Sequence, residues 1–130
     1  MAALASANIA DCGKNALFQI TTLSQDPATN VQAGQNISLV VKYSSPMTIR
    51  GGTATTTVTY NYIPFNPTVE DLCTKVACPL GAGDHDGSSS YFFPTGVNGQ
   101  VNTRIEWKDL EGKLLLCIVS TLKSPLFAVQ

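Results

Sequence analysis

Two cysteines lie close together near the middle of the chain, and a proline directly follows the second. Cys73 and Cys78 have four residues between them and can close a tight local loop, while Pro79 forces an extended or turn exit from it. Residues 60–65 are aromatic and apolar, but they run into two prolines, which a central β-strand does not tolerate. These features predict an irregular corner, closed by a disulfide, with exposed aromatic side chains beside it.

The remaining cysteines extend this prediction to a second disulfide. The chain has four cysteines among 130 residues, without the Cys/His spacing of a zinc site. Two disulfides and an oxidising compartment are therefore expected. Of the three possible pairings, Cys12–Cys117 with Cys73–Cys78 is the most economical, because Cys12 and Cys117 lie near opposite ends of the chain, next to or within predicted strands. The long loop alone would add about 4–5 kcal/mol of stability.

The composition argues against several classes of function. Only 13% of the residues are charged and the net charge is −1. The chain therefore lacks the basic surface that binds nucleic acid and the Lys/Arg cluster that holds a protein on an anionic membrane. No apolar run approaches the ~20 residues that span a bilayer. The single histidine lacks the partners of a catalytic or metal site, so we expect neither an enzyme nor a metal protein. From its length and composition we expect one soluble domain, and we expect it to be a monomer.

Alternating apolar and polar residues predict β-strands with one buried face. The inward-facing residues are Ile37, Leu39, Val41 and Tyr43 in residues 36–43, Val58, Tyr60 and Tyr62 in residues 54–62, and Val101, Thr103, Ile105 and Trp107 in residues 100–108. Further strands are predicted at residues 16–22 and 114–122, the latter so apolar that its facing is not fixed by parity. The pattern is that of an all-β chain, a β-sandwich of six or seven short strands.

Between these strands the sequence predicts turns and loops. Residues 24–35 are predicted to be a turn region, residues 81–90 a polar loop, and residues 91–94 a short aromatic edge segment ended by proline. His85 lies in the polar loop between two aspartates, which we attribute to solvation rather than to cation binding.

Two further features concern single polar residues. Glu70 and Asp71 directly precede the disulfide loop and are expected to cap its turn. Asn36 begins an N-glycosylation sequon on the outward face of its strand, which is compatible with a secreted glycoprotein.

An ordinary immunoglobulin domain is one alternative for this sandwich. Its signature places a tryptophan between two bridging cysteines, packed on their bond. Trp107 does precede Cys117, but the adjacent Cys73 and Cys78 have no counterpart in that pattern.

Several short motifs, taken in order along the chain, resemble the ML (lipid-recognition) domain family. They are Asp11-Cys12-Gly13, Phe65 eight residues before Cys73, Asp71-Leu72-Cys73, Cys78-Pro79, Ile105-Glu106-Trp107 and Leu115-Leu116-Cys117. The resemblance covers roughly residues 11–123, and the order and spacing of the motifs are more specific than any one of them. The family includes sterol carriers and phospholipid transfer proteins.

The resemblance implies an immunoglobulin-like β-sandwich whose two sheets are splayed, with a lipid cavity between them. Phe65 matches an aromatic residue at the tunnel entrance, and residues 94–97 match the other lip, with Val97 as an approximate equivalent because loop lengths differ. The chain departs from the family pattern in having no cysteine in residues 24–35 and a shorter stretch between Tyr60 and Phe65. Both differences affect the pocket size and hence the lipid that fits.

A set of apolar residues is therefore predicted to bind lipid. They are Phe65, Val97, Leu39, Val41, Val58, Tyr60, Phe93, Ile105 and Trp107. The alternative for the strand residues is a filled sandwich core, which the sequence without the resemblance favours. Phe65 lies among prolines and is harder to place in a regular core, although it could fill space beside the disulfide loop.

The resemblance implies a secreted or endolysosomal carrier that binds a sterol, or else a phospholipid or fatty acid, and needs no other cofactor. Transient membrane contact and a membrane-protein acceptor are the partners it implies. A recognition protein or co-receptor that senses lipid, and an adhesion-type sandwich without a cavity, are the alternatives. The lipid-binding domain is predicted at residues 11–123, with residues 1–10 an N-terminal extension or signal remnant and residues 124–130 a tail.

Overall fold

The structure, a computed structural model, describes residues 4–26, 31–32, 36–60, 63–92 and 99–124. Within these ranges the chain forms ten β-strands and one short 3-10 turn, Leu72–Thr74. The strands are β1 (Leu4–Asp11), β2 (Gln19–Asp26), β3 (Val31–Gln32), β4 (Asn36–Ser45), β5 (Gly52–Tyr60), β6 (Ile63–Pro64), β7 (Thr68–Asp71), β8 (Gly83–Phe92), β9 (Gly99–Asp109) and β10 (Leu114–Ser124).

The strands form two antiparallel sheets. The larger has the order β3-β1-β10-β9-β5-β6, with β7 also pairing to β5, and the smaller has the order β2-β4-β8. This arrangement confirms the predicted all-β sandwich. The described strands outnumber the six or seven predicted, because β3, β6 and β7 span only two to four residues and are too short to show an alternating pattern.

The central strand of the smaller sheet, β4, has the predicted facing. Its buried residues are Ile37, Leu39, Val41 and Tyr43, and its exposed residues include Asn36, Ser38 and Lys42. Successive side chains of a strand point to opposite faces, so the apolar set meets the larger sheet as one surface. Asn36, the predicted glycan acceptor, is on the outward face.

The prediction of a polar loop at residues 81–90 is wrong, because most of that segment is strand β8. It pairs with β4 without interruption from Ser45↔Gly83 to Asn36↔Phe92. Its Gly, Asp and Ser residues are typical of loops, but β8 is the last strand of its sheet along the path β2-β4-β8. Such a strand needs little apolar surface of its own, because its backbone hydrogen bonds to β4 fix it in place.

The predicted N-terminal boundary is also wrong. Residues 1–10 were expected to lie outside the domain, yet β1 pairs with β10 from Ser6↔Lys123 to Asp11↔Ile118. The next strand, β2, begins at Gln19 rather than residue 16 and continues to Asp26, into the predicted turn region. Residues 125–130 of the predicted tail lie outside the described ranges.

Both disulfides follow the most economical pairing. Cys12 is bonded to Cys117, and Cys73 to Cys78. Residues 115–118 of β10 are all buried, and a register shift between Leu114 and Leu116 interrupts the alternation there. Because four consecutive residues are buried, both faces of this part of the strand are apolar, and an alternating pattern could not show its facing.

The main core lies at one end of the sandwich, which we call the closed end. Its buried members include Phe18, Tyr43, Ile49, Leu72, Leu80, Leu115 and Leu116. Residues 72–81, which we call the disulfide corner, lie at this end, where Ile49 and Leu80 form an isolated antiparallel bridge. The opposite end, where β4 and β9 begin and β5 ends, is called the far end below.

Candidate functional site

Strand pairing brings the predicted wall residues of the larger sheet onto one face. From the closed end outward, Trp107 pairs with Ala54, Ile105 with Thr56, Thr103 with Val58, and Val101 with Tyr60. Directly opposed residues of antiparallel strands point to the same face. Ala54 is part of the buried core, so this is the inner face, and it lies opposite Leu39 and Val41 of β4.

The two inner faces differ in how completely they are covered. Leu39 and Val41 of β4 are buried, as are Ile37 and Tyr43. Val58 and Tyr60 of β5, and Val101, Ile105 and Trp107 of β9, are only half-buried although they share the inner face. A sandwich packed at ordinary density would bury both faces alike. The inner face of β5 and β9 therefore has apolar surface that protein atoms do not fully cover.

Aromatic packing fills the closed end. The rings of Phe18 and Tyr43 are stacked with centroids 5.0 Å apart, and Trp107 meets Tyr43 edge-on at 5.8 Å. Both geometries are favourable for aromatic pairs. Trp107 therefore contributes to the core at this end, and the incompletely covered part of the inner face extends from it toward Val58 and Tyr60.

A buried polar contact joins the two sheets on the β2 side. The Ser120 hydroxyl donates a hydrogen bond to Oε1 of Gln25 at 3.0 Å, and both residues are buried. Strands β1 and β2, one from each sheet, also have Cα atoms within 8 Å of each other. Sequence reasoning missed Gln25 because it placed that residue in a turn region. The sheets are therefore tied together along this edge, away from β8 and β5.

Phe65 lies on the surface beside the end of β5. Its side chain is 55% exposed, and the neighbouring Ile63 is 61% exposed. Its backbone N–H donates to the carbonyl of Val58 at 2.9 Å, which places it next to an inward-facing wall residue. Phe65 is thus an exposed aromatic residue among prolines, and its role at a lip stays a prediction. Phe93 and Val97, the other predicted residues of this lip region, lie outside the described residues.

The disulfide corner is held by short-range contacts. The Asp71 carboxylate accepts a hydrogen bond from the Cys73 N–H at 2.9 Å, and the Thr74 hydroxyl donates to the Asp71 carbonyl at 2.7 Å. Asp71 is thus the cap that the sequence predicts. Glu70 instead forms a surface ion pair with Lys75 at 3.1 Å.

Charged groups show no sign of a metal centre in the part of the chain that the structure describes. No three His, Cys, Asp or Glu side chains converge there in a way that could hold an ion. His85 lies in β8 and not in a loop, with its ring centroid 5.7 Å from that of Tyr43. Within the same ranges, no helix is long and apolar enough to cross a membrane.

Comparison with known proteins places the fold and the family. The chain is similar to a Niemann-Pick type C2 protein from the Japanese carpenter ant, with 14% identity over 90% of this chain and 98% of that one, at a TM-score of 0.64. It is also similar to chicken MD-1 complexed with lipid IVa, with 13% identity over 90% and 88% of the two chains and a TM-score of 0.57. At these identities the likeness shows a shared immunoglobulin-like β-sandwich.

The family assignment follows from the sequence. No curated protein gives a significant match. A family model described as ML domain, however, matches residues 6–124, from the strand β1 that pairs with β10 to the last residue of β10. The chain therefore belongs to the ML-domain family.

Proposed function

We propose that this protein is a lipid carrier that holds one apolar molecule between its two sheets, with a sterol as the first choice of cargo. It would pass the cargo between membranes or to a membrane protein. The observation that carries the proposal is the half-buried inner face of β5 and β9, opposite the buried face of β4. Membership of the ML-domain family supports it, as does the lipid IVa complex of chicken MD-1.

The hydrophobic effect supplies enough free energy for such binding without a charged contact. A few hundred Å² of apolar ligand surface, at ~25 cal/mol/Å², corresponds to about 8–12 kcal/mol before the cost of association. Micromolar affinity corresponds to about 8 kcal/mol net, so burial of apolar surface is of the right size to be the main source of the binding free energy. Binding and release would need separation of the sheets and lip, not the making of bonds, so the carrier would not be an enzyme.

The exposed side chains of Phe65 and Ile63 give the carrier a means of touching a membrane. Apolar side chains at the water interface insert among lipid headgroups, and here they lie beside the inward-facing Val58. Cargo leaving along β5 would meet the membrane at this point. The two disulfides support a secreted or endolysosomal location, since thiols in the cytosol are kept reduced.

Binding of a fluorescent sterol to delipidated protein tests the proposal. We expect saturable binding at one site, with competition by unlabelled sterol. Stronger competition by a phospholipid or a fatty acid would replace sterol as the cargo. Absence of saturable binding by all three would contradict the carrier function.

A further inference from the structure

Three uncharged polar side chains lie together on the inner faces of the sheets, among apolar neighbours. Ser120 of β10 is directly opposed to Thr103 of β9, and Thr103 to Val58 of β5. In the other sheet, Gln25 of β2 is directly opposed to Leu39 of β4. Because directly opposed residues point to the same face, all three polar residues face the space between the sheets. We call Gln25, Thr103 and Ser120 the polar cluster.

Two members of the polar cluster are bonded to each other and buried. The Ser120 hydroxyl donates a hydrogen bond to Oε1 of Gln25 at 3.0 Å, and the two residues are only 4% and 6% exposed. Such a bond fixes both side chains, because breaking it would leave two desolvated polar groups. The pair therefore forms a preorganised polar wall on the β2 side of the space, which lowers the cost of binding a polar group there.

Thr103 lies between this wall and the incompletely covered part of the inner face. It is half-buried, as is its neighbour Val58. Opposed side chains of neighbouring strands have Cβ atoms about 4.5–5.5 Å apart, so one small polar group can contact both Thr103 and Ser120. A molecule held against Val58 therefore reaches the polar cluster through Thr103.

The chemistry of the polar cluster restricts the group that it can bind. Side-chain hydroxyls of Thr and Ser donate and accept hydrogen bonds, which suits a ligand hydroxyl. The residues directly opposed to the cluster, Ile9, Val58 and Leu39, carry no charge either. A carboxylate or phosphate placed there would lose its water without gaining an opposite charge, which is costly. The cluster therefore favours a small neutral polar group.

The position of the polar cluster relative to Phe65 sets an orientation for the cargo. The Phe65 N–H donates to the Val58 carbonyl, so the predicted lip lies beside β5. Strands β9 and β10 follow β5 in the sheet order, which places Ser120 about 10 Å inward from β5 at the usual strand spacing. A lipid in a membrane has its polar end at the surface, so that end meets the docked protein first and enters first.

We propose that the polar cluster binds the hydroxyl group of the cargo. The lipid lies between the sheets with its polar end at Thr103 and Ser120 and its apolar body along β5 and β9. This inference rests on the proposed carrier function and narrows it to uncharged lipids with one small polar group, such as sterols and long-chain alcohols. Phospholipids and ionised fatty acids do not fit this placement.

Uptake of two sterols that differ only in the hydroxyl tests the proposal. Delipidated protein is incubated with vesicles that contain equal amounts of cholesterol and cholestene, its hydroxyl-free analogue, and the bound sterol is identified by mass spectrometry. We expect a preference of about fivefold for cholesterol, the size that one hydrogen bond gives. Equal loading with both sterols would overturn the placement and leave the carrier function intact, whereas loading with neither would contradict both.

A matched pair of variants assigns this preference to the polar cluster. Thr103→Val keeps the shape of the side chain and removes its hydroxyl, so the preference for cholesterol over cholestene should fall about fivefold. Thr57→Val makes the same change at a half-buried position one residue before Val58, but Thr57 is opposed to Arg104 on the outer face and the preference should stay. A preference that Thr103→Val leaves as in the wild type would contradict the proposal.

Nuclear Overhauser contacts in the wild-type complex test the orientation without any substitution. With isotope-labelled cholesterol bound, we expect the Thr103 methyl group to contact the ring protons beside the sterol hydroxyl. Contacts of that methyl group with the methyl groups of the sterol tail instead would show the opposite orientation and overturn the proposal.

Discussion

At the scale of single residues, Tyr43 combines a packed ring with a polar tip in a confined space. Phe18, Trp107 and His85 surround the ring. Asp86 and His85 of β8, and Lys75 of the disulfide corner, are the titratable groups that line a small pocket at the closed end together with Tyr43. Ionisation of the phenol there would place a negative charge out of water and near a carboxylate, which explains why its pKa lies above the ordinary 10.0.

This raised pKa predicts how stability depends on pH. Below pH 10.0 the phenol is protonated in both the folded and unfolded states, so its contribution is fully present. Above that value the unfolded chain loses the proton first, so the stabilisation is lost as pH rises through the folded-state pKa. Urea unfolding from about pH 8 to about pH 11 should therefore show a steeper loss in the wild type than in Tyr43→Phe. Parallel curves would contradict the shift.

A substitution of Phe65 tests the part of the carrier proposal that concerns the lip. Because its side chain is 55% exposed, Phe65→Ala should leave the unfolding free energy within about 0.5 kcal/mol of wild type. The rate of sterol transfer between vesicles should fall several-fold, since the lip loses its aromatic contact with the membrane. Val69→Ala, which truncates a 63% exposed apolar side chain in β7, is the matched control and should transfer normally. Undiminished transfer by Phe65→Ala would remove Phe65 from the lip.

Residue-level prediction from sequence works where a local pattern decides the outcome. The alternation around Tyr43 predicts its burial, and the flanking prolines predict the irregular, exposed position of Phe65. Gln25 and Ser120 were not foreseen as a bridge, because their contact depends on how two separate sheets approach each other. No local pattern contains that information.

At the scale of strands, the close approach of β5 and β9 can be tested at Gly52. A Cβ at this position would overlap the Lys108 carbonyl oxygen and come within 2.9 Å of the Asp109 Cα. Gly52→Ala should therefore destabilise the fold by about 3 kcal/mol in urea unfolding. Gly81→Ala is the control, because its Cβ would meet nothing within 4 Å, and it should change stability by less than about 0.5 kcal/mol. Similar losses for both variants would contradict the strand geometry.

Strand β8 shows where composition misleads. Seven of its ten residues are Gly, Asp or Ser, which are frequent in loops. Its pairing with β4 nevertheless runs through Lys42↔Asp86 and Val41↔Gly87. A Cβ at Gly87 would come within 3.2 Å of a Val41 methyl group, so a small residue is needed at this point of the pairing. The need for a small residue in β8 comes from the side chains of its partner strand β4. The sequence of β8 alone does not show which strand it pairs with.

At the scale of the whole molecule, the two disulfides stabilise the chain unequally. Cys12 and Cys117 are separated by 105 residues, and Cys73 and Cys78 by 5. In the chain-entropy model, replacing both cysteines of a pair by alanine should cost about 4–5 kcal/mol for the long loop and about 2 kcal/mol for the short one. Urea unfolding of the two double variants measures the difference. A larger loss for the short loop would show that the corner, and not chain entropy, dominates stability.

The overall architecture was predictable because it depends on features that are repeated along the chain. Alternating strands, two disulfides and ordered family motifs all predict the same two-layer fold. The domain boundary was missed at β1, whose small residues lack a clear alternation. The uneven cover of the two inner faces could not be predicted either, since it depends on the tilt and separation of the sheets and not on which residues face inward.

Native mass spectrometry tests most directly whether the space between the inner faces holds a lipid. Wild-type protein incubated with vesicles of sterol and phospholipid should carry the added mass of one lipid. Val58→Trp, which places a large ring on the half-buried inner face of β5, should remain folded and carry none. Wild-type protein that gains no lipid mass, or a Val58→Trp variant loaded as fully as the wild type, would contradict the carrier function.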